Sequence, residues 1–383
     1  MQRGRISLGE IAPARSDPGK QEERNCGSLP LLKRVLVWWR GREEDRLAKV
    51  LLYSTALDFR DGDEWEKGAY RLLLESARNC RFGRHTLTDD PAEADVILFT
   101  ELGGGFGLFA ELVRHHAYCK RYRGKCFLFD TSDYALPLLP GVYASLRQRY
   151  YDPARTRTGY YLRTDENPYI DLRPLPPEPA YLGCFIGTFS NHPVRSYLGK
   201  LPAKEFLVED MGKISLKALV GEPGVDRNSF WSRYADGMAA SAFSLCPRGL
   251  GPGSVRLFES MRMGRCPVIL ADEWVFPQRV DWTACSLIVP EKEVGCLPEI
   301  LRSNRHRAAE LGRRARQEWE RYYAPDVRFH WMVEDCLEML AARRLPEAIA
   351  GRLAWRHLFH RVNLHRYLIS KKAMYRRHGR ILL

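Results

Sequence analysis

The chain is predicted to be an α/β protein with two Rossmann-like domains that face a central cleft. Apolar strand patterns alternate with helix-period patterns in both halves of the 383 residues, which favours parallel sheets with right-handed crossovers. The length suits two domains that each bury a full core. A glycine-rich turn also opens a helix late in the chain, as it does where doubly wound sheets hold phosphate.

The N-terminal half alternates strand and helix. Apolar runs predict strands at 35–38, 95–100 and 125–129, and helical spacing predicts helices at 65–80 and 108–122. Ligands of such sheets lie beyond the carboxyl ends of the strands. Glu101, the glycines 103–105, Asp130 and Asp133 are therefore expected at the cleft. The Arg- and Tyr-rich segment 143–163 has two interpretations, an acceptor-binding surface or a helix end followed by a β-hairpin with solvated basic residues.

The segment 241–270 predicts strand, turn, helix and strand. An apolar run at 242–246 precedes three closely spaced glycines, and Gly264 follows the helical pattern where a left-handed residue is expected. A second apolar run at 267–270 completes the unit. The turn contains neither the Gly-Lys-Ser/Thr of a P-loop nor a G-x-G-x-x-G pattern.

This unit is predicted to bind a nucleotide. Ser254 is the expected N-cap of the helix, whose free N–H groups and positive end favour an anion. Arg248 and Arg256 suit a diphosphate, and Glu259 suits the hydroxyl pair of a ribose. The glycines Gly249, Gly251 and Gly253 would let the phosphates approach the backbone. The alternative is a tight turn with a solvated Glu259.

The same residues resemble the exostosin-like glycosyltransferases. The family carries a Cys-Pro-Arg-Gly turn, then Ser, Arg-Leu-Phe-Glu and a Pro-Val-Ile strand, here Cys246–Gly249, Ser254, Arg256–Glu259 and Pro267–Ile269. The resemblance covers about 181–293 and is thin in the N-terminal half. It implies a GT-B architecture, a nucleotide-sugar donor (often a UDP-sugar) and inversion without a bound metal, and it adds Arg195 to the donor site. With only one transferase unit present, a heparan-type substrate is not implied.

Inverting transfer needs a general base and a stabilised leaving diphosphate. Asp133 and Glu101 are the predicted bases, although Asp133 also fits a cap and Glu101 an ordinary strand-end acid. We expect transfer from a UDP-sugar to a glycan or glycolipid acceptor. The alternative is a non-catalytic nucleotide-binding scaffold, and an epimerase or dehydrogenase is disfavoured because the first βα turn lacks a dinucleotide fingerprint.

No cofactor or catalytic metal is expected. The cysteines are scattered singly without the spacing of a metal site, which favours buried thiols in a reducing compartment. Asp61 and Asp63 resemble a D-x-D metal motif, but they lie in a polar turn and are assigned to the surface. The predicted organisation is a disordered segment 1–32, an acceptor domain 33–166, a Pro-rich linker 167–180, a donor domain 181–340 and a basic tail 341–383.

The net charge of +13 is concentrated in the tail, which contains eleven Lys and Arg residues and one acidic residue. Basic residues interleaved with leucines and aromatics predict an amphipathic segment on an anionic membrane surface. A basic appendage packed on the N-terminal domain is the alternative. Nucleic-acid binding is disfavoured because no recognisable motif supports it. The first residues lack the apolar stretch of a signal peptide, so the expected location is cytoplasmic, peripheral at the inner face of the membrane.

Overall fold

The computed structural model describes residues 47–58, 67–101, 108–212 and 226–378. Four sequence predictions lie outside these residues. They are the disordered segment 1–32, the strand at 35–38, the turn with Asp61 and Asp63, and the glycine run 103–105.

The N-terminal half is built on a parallel sheet of six strands. In chain order these are β1 (Lys49–Tyr53), β2 (Thr86–Leu87), β3 (Val96–Glu101), β4 (Cys126–Asp130), β5 (Gly141–Tyr143) and β6 (Thr156–Thr158). They lie side by side in the order β2-β1-β3-β4-β5-β6. Every residue of β3 and β4 is buried, as expected of strands that are covered on both faces.

The C-terminal half is built on a parallel sheet of five strands. These are β7 (Tyr181–Gly187), β8 (Phe206–Asp210), β9 (Ser241–Pro247), β10 (Cys266–Leu270) and β11 (Leu287–Ile288). Their spatial order is β11-β10-β9-β7-β8. Two parallel α/β sheets, one from each half of the chain, confirm the predicted fold class, two Rossmann-like units in a GT-B-like arrangement.

Helices cover the sheets and continue beyond them. The N-terminal helices are α1 (Gly68–Arg78), α2 (Leu108–His115) and α3 (Ala117–Arg121). The helices between β7 and β11 are α4 (Pro193–Leu198), α5 (Arg227–Ala239), α6 (Val255–Met263) and α7 (Trp282–Cys285). They are followed by α8 (Leu297–Asn304), α9 (Ala308–Tyr322), α10 (Arg328–Ala342), α11 (Glu347–Ala354) and α12 (Arg361–His378).

Several local predictions need correction. The helix predicted at 108–122 is two helices, because His116 adopts an extended backbone and caps α3 through its side chain. The hairpin predicted within 143–163 is absent, since β5 and β6 pair in parallel across the 3-10 turn Gln148–Tyr150.

The last helices pack on the N-terminal sheet. Phe329 and Val333 of α10 are buried in the same cluster as Leu73 of α1. Glu347 of α11 forms a buried ion pair with Arg155, at 2.7 Å between Oε1 and Nη2, and Lys371 of α12 contacts Glu111 at 2.7 Å. Within the described ranges, no helix has the length and apolar character needed to cross a membrane.

Candidate functional site

A cavity of about 600 Å³ lies between the two halves, a size typical of small-molecule sites. The N-terminal half contributes Asp133, Tyr160, Tyr161 and Arg163 to its wall. The C-terminal half contributes the end of β7, the turn before α6, and side chains of α4, α5 and α6. The predicted residues that line the cavity are Asp133, Arg195, Gly249, Gly253, Ser254, Arg256 and Glu259. Glu101, Arg248 and Gly251 are not among the lining residues.

The N-terminus of α6 opens onto the cavity. Ser254 is the N-cap, as predicted, with an extended backbone (φ −143°, ψ 124°) and no side-chain capping hydrogen bond. Ser254, Val255 and Arg256 all line the cavity. The positive end of the helix dipole therefore lies at the cavity wall, an environment that favours an anion. The helix ends at Gly264, whose left-handed backbone (φ 75°) matches the prediction.

The turn glycines allow close contact between the halves. A Cβ at Gly251 would lie 2.2 Å from the carbonyl oxygen of Asp133 and 2.2 Å from Ser145 Oγ. A Cβ at Gly253 would lie 2.7 Å from the hydroxyl of Tyr161, and the Gly253 N–H donates to Ser145 Oγ at 3.0 Å. Gly251 is thus needed where the two halves touch, rather than on the cavity wall where the sequence placed it.

Arg195 and Arg256 bring two guanidinium groups to the cavity. Arg195 Nε donates to the carbonyl oxygen of Arg248 at 2.7 Å. Arg256 lies over the ring of Phe185 at 4.2 Å, and its Nε donates to the hydroxyl of Tyr234 at 3.1 Å. Its Nη1 is buried without a hydrogen-bond partner.

The positive charges of Arg195 and Arg256 repel each other. Burial, with the adjacent charge of Arg256, lowers the pKa of Arg195 to about 10. An anion placed beside both groups would offset this repulsion and satisfy the unpaired N–H of Arg256.

Arg248 faces away from the cavity. Its Nη1 lies 3.3 Å from Glu273 Oε2 and 3.7 Å from Glu291 Oε1. Because these carboxylates already hold its guanidinium, Arg248 acts on the site through its backbone carbonyl, which accepts from Arg195. The direct contact of Arg248 with a diphosphate stays a prediction.

Glu259 lies on the cavity wall in the second turn of α6. Its Oε2 accepts a hydrogen bond from the hydroxyl of Tyr234 at 2.5 Å. Burial raises the pKa of the Glu259 carboxyl, against the opposing influence of Tyr234, Arg256 and Arg163. A carboxylate held at this depth can accept hydrogen bonds from a ligand's hydroxyl groups.

Asp133 occupies the opposite wall. Its Oδ1 accepts from the hydroxyl of Tyr161 at 3.1 Å. Burial raises the pKa of the Asp133 carboxyl, while the hydrogen bond from Tyr161 and the charges of Arg195 and Arg163 oppose the shift. A cleft carboxylate with a raised pKa has the character of a general base.

Glu101, the other predicted base, is bound within its own half. Its Oε1 accepts from the backbone N–H of Thr55 at 2.7 Å and its Oε2 from Ser54 Oγ at 3.3 Å. Burial raises its pKa to about 8. The carboxylate is 1% exposed, because it satisfies the start of the 3-10 turn Thr55–Asp58.

Tyr161, Arg163 and Tyr234 line the cavity, but the sequence did not predict them individually as site residues. Tyr161 and Arg163 belong to the Arg- and Tyr-rich segment, whose composition was the available signal. Tyr234 of α5 bonds both Arg256 and Glu259, and no local pattern distinguishes it from an ordinary core tyrosine.

Part of the chain resembles known proteins. Residues 175–304 match the family model described as Exostosin GT47 domain. The protein named Exostosin-1 homolog of Caenorhabditis elegans is 37% identical over 92 residues, which are 23% of this chain and 24% of that protein. An Arabidopsis thaliana protein named "Probable glucuronoxylan glucuronosyltransferase" is 44% identical over 85 residues, 20% of this chain and 19% of that protein.

Solved structures give a more distant likeness. HepE of Anabaena in complex with UDP aligns with 77% of this chain and 100% of its own, at 12% identity and a TM-score of 0.33. MurG of Acinetobacter baumannii aligns with 70% of this chain and 95% of its own, at 10% identity and a TM-score of 0.32.

The fold and the cavity define an α/β protein with two parallel sheets and a helix N-terminus on the wall of the cavity. Within it, residues 175–304 match the exostosin GT47 domain model, and the resemblance to the exostosin-like glycosyltransferases is confirmed. The chain spans about a quarter or less of the length of these curated relatives.

Replacing Gly251 by alanine is expected to destabilise the protein by about 1–3 kcal/mol, because the added methyl group meets a backbone carbonyl that cannot move freely. Urea unfolding measures the loss. Gly124→Ala is the matched control, since no atom lies within 4 Å of a Cβ at that position, and it should change stability by less than about 0.5 kcal/mol. Equal stability of the two variants would contradict the contact.

Proposed function

We propose that the protein transfers a sugar from a UDP-sugar to a glycan or glycolipid acceptor, with inversion and without a bound metal. The observation that carries this proposal is one cavity wall. It combines the N-terminus of α6, the unpaired Nη1 of Arg256 and the half-buried carboxylate of Glu259. The exostosin GT47 match covers the same wall.

The donor's diphosphate would lie at the N-terminus of α6, between Arg195 and Arg256. Backbone N–H groups and two guanidinium groups supply the positive charge that a metal ion supplies in other transferases. The ribose would extend along α6 to Glu259, whose carboxylate accepts from its hydroxyl groups. The sugar would then point across the cavity to Asp133.

Asp133 would act as the general base. Its carboxylate takes the proton from an acceptor hydroxyl as that oxygen attacks the anomeric carbon. The new C–O bond forms on the face opposite the diphosphate, and the bond to the diphosphate breaks, so the anomeric centre inverts. Arg195, Arg256 and the helix end stabilise the charge on the departing diphosphate.

Glu259→Ala is expected to weaken UDP binding about 10- to 100-fold, because charged hydrogen bonds to the ribose are lost. Calorimetric titration of UDP in the presence of EDTA measures the affinity. Glu299→Ala, which removes a carboxylate that is 71% exposed, is the control and should bind UDP like the native chain. Unchanged or tighter binding by Glu259→Ala would contradict the ribose assignment.

Asp133→Asn is expected to slow sugar transfer about 10²- to 10⁴-fold while UDP affinity changes far less. Since the base must be deprotonated and its pKa is raised, the native rate should fall with acidification already above the usual range of an aspartate. Glu101→Gln is the comparison variant. A larger loss in Glu101→Gln than in Asp133→Asn would reverse the choice of base.

We further propose that the tail holds the enzyme against an anionic membrane from the cytoplasmic side. Arg361, Leu364, Leu368 and Lys372 follow one another at three- and four-residue spacing, which places them on one face of α12. Phe359, just before α12, is 90% exposed. The nine cysteines among the described residues are free thiols, which agrees with a reducing compartment.

The double variant Phe359→Ser/Leu368→Ser is expected to sediment less with vesicles that contain phosphatidylserine, because exposed apolar area drives insertion. Leu172→Ser is the control, since Leu172 is 55% exposed outside the tail and Leu368 is 58% exposed. Failure of the native chain to bind these vesicles, or equal binding by all variants, would refute the membrane proposal.

A further inference from the structure

Two histidines and a glutamate meet where α10 crosses the edge of the N-terminal sheet. His85 directly precedes the edge strand β2, and His330 and Glu334 stand one turn apart on the same face of α10. One ligand atom from each of the three residues lies within 4.8 Å of the others. The cluster shares no residue with the wall of the donor cavity.

The imidazole nitrogens of this cluster are buried and partly unpaired. His85 is 8% exposed and His330 is 4% exposed. His85 Nε2 lies 3.1 Å from Glu334 Oε1, within ion-pair distance. Nδ1 of His85 and Nδ1 of His330 have no hydrogen-bond partner. Buried polar groups normally have partners, and a cation among these atoms would supply one.

Aromatic stacking fixes the two rings. The imidazoles of His85 and His330 stack at 5.0 Å with an angle of 18° between their planes. Phe82 stacks on the other side of His330 at 4.2 Å. The ring of Trp331 packs edge-on against Phe82, with the ring centroids 5.6 Å apart. Since the rings are already held in place, binding a metal would cost little side-chain entropy.

Two arginines, Arg84 and Arg279, act on His330 through their charges. Arg279 donates hydrogen bonds to Asp335 and Glu338 of α10, so these carboxylates compensate its charge.

We infer that His85, His330 and Glu334 form a divalent metal site that takes Zn²⁺. Two imidazoles with one carboxylate are a donor set that zinc accepts, with water or a further ligand in the fourth position. The ion ties α10 to the edge strand β2. It supports the fold rather than the transfer chemistry, because the donor cavity is built from other residues.

The test measures Zn²⁺ binding by the full chain. After dialysis against a zinc-free buffer, calorimetric titration with Zn²⁺ should show one site, and Zn²⁺ should raise the thermal unfolding midpoint. Co²⁺ in place of Zn²⁺ should give the visible absorption bands of a low-symmetry nitrogen and oxygen site. An absence of stoichiometric binding by the native chain would overturn the inference.

Variants locate the site. Glu334→Gln keeps the shape of the side chain and should lower Zn²⁺ affinity at least tenfold, as should His330→Ala. His306→Ala removes an exposed histidine outside the cluster and should bind Zn²⁺ normally. Circular dichroism and UDP binding report whether each variant is folded, and Glu334→Gln carries the test if His330→Ala does not fold. Native-like affinity in folded Glu334→Gln would overturn the assignment.

Discussion

The site depends on the direct contact between the glycine turn of one half and the strand ends of the other. Gly251 and Gly253 lie so close to Asp133, Ser145 and Tyr161 that a side chain on either glycine would collide with them. Trp274 adds to this contact, since its indole N–H donates to the carbonyl oxygen of Ala144 at 3.3 Å. The same turn that precedes α6 therefore sets the distance across the cavity. Both walls of the cavity are positioned by one short segment.

Electrostatics then separates the roles of the charged residues. Arg248 is ion-paired with Glu273 and Glu291 and is not among the cavity-lining residues, whereas Arg256 lines the cavity. Unpaired charge in a cavity favours a ligand of opposite sign, and paired charge supports the scaffold. The same comparison distinguishes Asp133 on the cavity wall from Glu101, whose carboxylate is occupied by backbone and hydroxyl groups of its own half.

Prediction from sequence succeeded where the signal was local. The unit from β9 to β10 was predicted because an apolar strand, a glycine turn and a C-terminal glycine follow one another directly, and Gly264 has the left-handed backbone this pattern implies. The strands β5 and β6 were missed because three residues each are too short to show periodicity. No strand was predicted at 49–53, where β1 lies. A short apolar run does not by itself distinguish a buried strand from a buried helix segment.

The rest of the site depends on contacts between distant residues. Tyr234 binds Arg256 and Glu259 across the space between two helices, and His85 meets His330 only because α10 returns to the N-terminal sheet. The spacing of His330 and Glu334 on one helix was a readable signal, but it has no meaning without the third ligand. Which charges are paired also follows from the folded structure alone, so the sequence could not rank Arg248 below Arg256.

The most direct test of this account is a thermal-shift comparison of UDP with ADP, GDP and CMP, each in excess EDTA. A ligand that binds only the folded state raises the unfolding midpoint, and saturation at 100 times the Kd contributes about 2.7 kcal/mol. The account predicts stabilisation by UDP that persists in EDTA, even if the chelator lowers the starting midpoint. No shift with any of the four nucleotides would contradict it, and would leave the glycine turn as a structural contact between the halves.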